Sequence, residues 1–120
     1  MGLDTSHDCW HGAYSAFMRW REKLAEVAGY GDLRQREGFG GGVKWPEGDP
    51  LTILLSHSDC DGEIAAEDCA SIADRLEQLM PALKIAGEAG GHIGNFADKT
   101  QQFIDGLRTA AAANEPVDFG

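Results

Sequence analysis

Apolar residues recur at spacings of three and four in three separated stretches of this chain, and that period confines it to packed helices. Trp10, Ala13, Phe17, Trp20, Leu24 and Val27 form one stripe, which predicts a helix from about Cys9 to Ala28 with Gly29 as its stop. Cys69, Ile72, Ala73, Leu76, Leu79 and Met80 predict a second, from about Ala66 to Met80, ended by Pro81. Phe96, Phe103, Leu107 and Ala110 mark a third, from about Asn95 to Ala113, with Asn114 as a left-handed cap before Pro116. Asp49-Pro50 opens a fourth, short helix: Asp49 caps, Pro50 suits the first turn, and Leu51, Leu54 and Leu55 face inward. The expected fold is mainly α: three main helices and one short one, with a minor β-hairpin and an extended segment at Val117 to Phe119 as additions.

Composition sets the class. With 120 residues, 42% hydrophobic and 25% charged, residues 1–120 read as a single globular domain. No apolar run approaches the roughly 18 residues of a membrane span, and no signal peptide is visible. A cytoplasmic protein without a membrane partner is expected. The formal charge of −10 argues against DNA or RNA, whose phosphates need clustered Lys and Arg. Arg19, Arg21 and Lys23 still offer a local cationic spot. Cys9, Cys60 and Cys69 include no CxxC pair, so a disulfide framework is not expected. Two glycine-rich connections, Gly38 to Gly42 and Ala86 to Gly94, lack the lysine and glycine spacing of a P-loop.

Two polar stretches exceed what a helical core requires: Asp4 to Tyr14, and Ser56 to Glu63. In the first, His7 and His11 stand four apart, which on a helix places both imidazoles on one face, with Tyr14 continuing that row. Two such histidines can share a zinc ion. The plainer alternative is that Ser6 or Asp8 caps the helix and His11 bonds a carbonyl at the core edge. In the second stretch Asp59, Asp61 and Glu63 alternate, as ligands of a hard cation do, although the EF-hand glycine position is not met. A divalent metal held by His7, His11, His57 and Asp59 requires the two stretches to meet in space. Cys60 beside His57 resembles a nucleophile pair, but the neighbouring acids oppose a thiolate.

The same residues also suit a ligand without turnover. Asp59 and Asp61 accept from ribose hydroxyls, Trp10, Tyr14 and Trp45 offer stacking faces, and Arg19, Arg21 or a helix N-terminus offers a phosphate contact. At this spacing Trp10 and Trp20 belong more naturally to the core.

MGLDTSHDCWHGAYSAFMRWR, LLSHSDCDGEIAAEDC and DKTQQFIDGLRTAAAANEPVDF together resemble a family of small, uncharacterised proteins found in bacteriophages and prophages. The resemblance implies a phage accessory protein in a bacterial cytoplasm, and assigns no catalytic residue. The first functional expectation is a binder of a small nucleotide-derived ligand, sequestering a host immune signal, with His7, Asp8, His11, Tyr14, Arg21, His57, Asp59, Asp61 and Glu63 around it. The alternatives are a metal-dependent hydrolase and an acidic inhibitor of a host enzyme. Oligomerisation is left open.

Overall fold

Among the described residues the helical period is realised in four α-helices. The computed structural model describes residues 2–36, 41–46, 48–58, 61–86, 88–90 and 94–119. Strand β1 (Gly2–Asp4) leads through a tight turn at Ser6–Asp8 to β2 (His11–Ala13), and helix α1 (Tyr14–Val27) follows directly. After a single 3-10 turn at Leu33–Gln35 come α2 (Leu51–Leu55), β3 (Glu63–Ile64) and α3 (Ala66–Ala86). The hairpin β4 (Glu88–Gly90) and β5 (Gly94–Asn95) leads into α4 (Phe96–Ala113), and β6 (Val117–Asp118) closes the described fold. The fold is therefore mainly α with three long helices, as the periodicity indicates. β1 and β2 form the minor hairpin.

One core unites the elements. Phe17, Trp20 and Leu24 of α1 meet Ile72, Leu76 and Leu83 of α3 and Phe103, Ile104 and Leu107 of α4, all fully buried. Trp10 joins this set, 5.2 Å from both Phe17 and Trp20 between ring centroids. Both tryptophans are thus core residues. The indole of Trp20 donates to Thr100 Oγ1 at 2.9 Å, and Thr100 donates onward to the Phe96 carbonyl. The buried Trp20 indole and Thr100 hydroxyl thus each have a partner, which burial demands. α3 and α4 pack along their lengths, and Arg108 spans them to reach Asp74 and Glu77.

Two helix boundaries differ from the periodic reading. α1 begins at Tyr14 rather than Cys9, because His11–Ala13 pair with β1. Its N-cap is Ala13, with no side-chain cap, so neither Ser6 nor Asp8 caps it. α3 runs through Pro81 to Ala86. Pro81 is exposed and near the helix end, where one lost backbone donor is replaced by water at low cost. At α2, Asp49 caps as expected: its Oδ1 accepts from the Leu51 N–H at 2.9 Å, while Pro50 already has helical angles.

Asn114 ends α4 in the left-handed conformation, with φ 55° and ψ 45°. Asparagine tolerates that region and alanine does not. Asn114→Ala is expected to lower stability by about 1 kcal/mol in urea unfolding, and Asn114→Gly to leave it unchanged or slightly raised. Equal stability of the two variants would contradict the cap.

Candidate functional site

The N-terminal polar stretch folds as a hairpin rather than a helix. β1 and β2 pair antiparallel with Leu3 opposite Gly12 and Asp4 opposite His11. Alternation sends Leu3 into the core and leaves Asp4 on the open face. There the Asp4 carboxylate meets His11 Nδ1 at 2.9 Å, a cross-strand charge pair. The connecting turn is closed by Thr5, whose N–H donates to the Trp10 carbonyl at 3.0 Å and whose Oγ1 accepts from the Trp10 N–H at 2.9 Å. Inside the turn His7 and Asp8 both have positive φ, 59° and 56°. Two successive left-handed residues without glycine are costly, and surrounding contacts must hold them.

Those contacts come from distant parts of the chain. Ser6 Oγ accepts from the Asp118 N–H at 2.8 Å, which leaves its own proton for His7 Nδ1 at 3.0 Å. His7 Nε2 then donates to Glu115 at 3.0 Å. Gln102 on α4 donates to the Asp8 carbonyl at 2.9 Å. Beneath the turn lies Gly106: a Cβ there would meet Cys9 Sγ and come within 2.8 Å of the His7 carbonyl oxygen.

The mid-chain stretch reaches the same region from the other side. β3 pairs with β6, Glu63 opposite Asp118 and Ile64 opposite Val117. Phe119 bridges to Thr5 and donates its N–H to the Gly62 carbonyl at 2.9 Å. The His57 ring lies 4.2 Å from the Phe119 ring, with Nδ1 facing the Ser58 carbonyl and Nε2 the Glu63 carbonyl. Residues 117–119 therefore lie between the two polar stretches and join them.

A hollow of about 430 Å³ opens between the turn and α4. His7 and Asp8 form one wall; Asp98, Gln101, Gln102, Asp105 and Thr109 form the other, with Gly106 between them. Among the described residues, three carboxylates and no Lys or Arg line it. The resulting potential is negative, and it favours cations and hydrogen-bond donors. A second hollow, of about 410 Å³, is lined by Glu22, Glu26, Gly31, Asp32, Leu33 and Arg34, away from the polar stretches.

Of the residues expected around a ligand, His7 and Asp8 line the hollow. His11 stands beside it, bonded to Asp8 at 2.9 Å. Tyr14 is half-buried against the core. His57 faces Phe119 and two carbonyls, and Asp61 and Glu63 are exposed near β6. Asp59 and Cys60 lie outside the described residues. Arg21 corrects the phosphate expectation: it is 2% exposed, stacks 4.5 Å over Phe17, and donates to the Leu55 and His57 carbonyls at 3.2 and 2.5 Å. Its task is to cap the C-terminal end of α2. His7 and His11 do not share a helical face, since the turn and strand aim them at Glu115 and at Asp4 with Asp8. Among the described residues no three His, Cys, Asp or Glu side chains are placed to hold a metal ion. The hydrolase ligand set is not assembled by the part of it that is described.

Burial pushes the Cys9 thiol up to about 12, partly countered by a hydrogen bond with Thr5, so at neutral pH it is no thiolate. Burial raises Cys69 likewise. Donating to the Asp4 carboxylate, and then to that of Asp8, raises the His11 pKa above its ordinary value.

The polar face of α4 is the part that sequence reasoning missed. A second missed group is Tyr30, Asp49 and Arg75: Tyr30 donates to Asp49, which also accepts from Arg75 Nε at 3.2 Å. It ties the start of α2 to the segment that follows α1 and to α3. Only the Asp49 cap was visible in sequence. Among the described residues no helix is long and apolar enough to cross a membrane. Comparisons of this chain with protein-family models, with curated proteins and with solved structures find no match.

Proposed function

We propose that the protein is a binding module whose acidic hollow takes a cationic, donor-rich partner, such as a basic segment of another protein. The observation that carries this is the lining itself: Asp8, Asp98 and Asp105 face one open space with no Lys or Arg among the described residues that line it. The net charge of −10 steers such a partner and disfavours anions. Among the roles open to this sequence, the acidic inhibitor of a host enzyme accords best with that lining. The likeness to phage proteins supplies its setting, a bacterial cytoplasm.

A nucleotide-derived ligand keeps one support, since the hollow's volume of about 430 Å³ suits a small molecule. Trp10 and Arg21 no longer contribute a stacking face and a phosphate contact, and the carboxylates would repel phosphate. A nucleoside with its hydroxyls on Asp98 and Asp105 is the form of that reading the lining allows.

Calorimetric titration with an arginine-rich peptide, a nucleoside and a nucleotide tests the choice. The peptide should bind, weaken with added salt, and lose roughly tenfold in affinity with Asp98→Asn/Asp105→Asn. Salt-independent binding of the nucleotide, unaffected by the double variant, would reject the proposal.

A further inference from the structure

We propose that His11 is a pH-operated clasp on the N-terminal turn: its doubly protonated ring ties Asp8 to Asp4 and so sets the position of one carboxylate wall of the hollow. The two ring nitrogens face two different carboxylates, Asp4 Oδ1 and Asp8 Oδ1, each at 2.9 Å. A carboxylate only accepts, so both nitrogens must donate, and only the imidazolium carries two N–H groups. A neutral ring can keep one of these bonds and must release the other.

Which one is released follows from the backbone. Asp4 is held in a paired strand, opposite His11 itself. Asp8 sits in a turn whose two successive left-handed residues store strain. Apart from the bond to His11, Asp8 is held, among the described residues, through its carbonyl bond to Gln102. The surrounding charges act in the same direction. Asp4 and Asp8 favour the proton, and α4 presents Asp98 and Asp105 across the hollow. Glu115 engages the adjacent His7. The nearby cation on α4, Lys99, sits 5.1 Å over the Trp10 ring. When His11 loses its proton, Asp8 faces two like charges across the hollow with its counter-charge gone.

The sign follows from the raised folded value. The clasp stabilises the turn fully below the ordinary histidine value of 6.5, and the contribution is lost as pH rises through the higher folded value. The consequence for partner binding rests on the hollow being the recognition site; the clasp itself does not.

An NMR pH titration of the full chain separates the two. The His11 ring and the backbone amides of His7, Asp8 and Gln102 should titrate together, with one midpoint above 6.5. Asp8→Asn keeps a residue that tolerates the left-handed region, and should move the His11 midpoint down toward 6.5. His11→Gln should abolish the coupled shift at Asp8. Amides of His7 and Asp8 that stay flat while His11 titrates, or an unmoved midpoint in Asp8→Asn, would overturn the clasp. In the peptide assay, wild-type affinity should change across the same midpoint and that of His11→Gln should not. A peptide that never binds would count against the acidic-hollow function alone, because the ring titration still decides the clasp.

Discussion

Gly106→Ala should destabilise this protein by roughly 2 kcal/mol, although alanine is the better helix former. In an open helix the exchange would gain about 0.5–1 kcal/mol. Here the added methyl meets Cys9 Sγ, the His7 carbonyl oxygen at 2.8 Å and Cys9 Cα at 3.0 Å. Two of these three atoms are backbone, so no rotamer change relieves the contact. Either α4 or the turn must move, and the turn is already strained. Urea unfolding reads the loss, and the His7 and Asp8 amide signals should shift with it. A variant at least as stable as wild type would show that the turn does not rest on α4 as described.

Arg21→Ala should cost more, roughly 3 kcal/mol, because two effects combine. The Leu55 and His57 carbonyls lose a charged donor beneath the surface, and the Phe17 face loses the guanidinium stacked on it. Arg21→Lys should restore little, since an ammonium can neither fork across several carbonyls nor stack flat on a ring. Arg19, two residues earlier and exposed, provides the control: its alanine variant should stay within about 0.5 kcal/mol of wild type. Thermal unfolding that ranks Arg19→Ala below Arg21→Ala would refute this account of α2.

These two residues show how far the sequence was legible. The helices were, because Phe17, Trp20, Leu24 and their counterparts on α3 and α4 repeat at the helical period and are buried as that period requires. The caps at Asp49 and Asn114 were legible for the same local reason. The start of α1 was not. Trp10 and Ala13 continue its stripe by spacing, but pairing of His11–Ala13 with β1 supersedes the helix there. Arg21 resembled a surface cation beside Arg19 and Lys23. Its burial depends on the end of α2, some thirty residues away, where carbonyls lack donors. Asp98, Gln101 and Asp105 resembled an ordinary solvated helix face. They became the wall of a hollow only because a distant turn settled on Gly106. Local pattern encodes elements, whereas this site arises where elements meet.

The last described strand bears on how the protein is made. Asp118 secures Ser6 across 112 positions, and Phe119 bridges Thr5. On a ribosome, the opening segment emerges long before the residues that pin it. Contacts so remote in the chain form late, because a long loop must first be closed. Until then the segment around His7 and Asp8 lacks the contacts that hold its left-handed shape, and a nascent chain would expose it unpinned. The acidic hollow is thus a late product of synthesis, assembled only after residues 115–119 have been made and have docked on the hairpin turn.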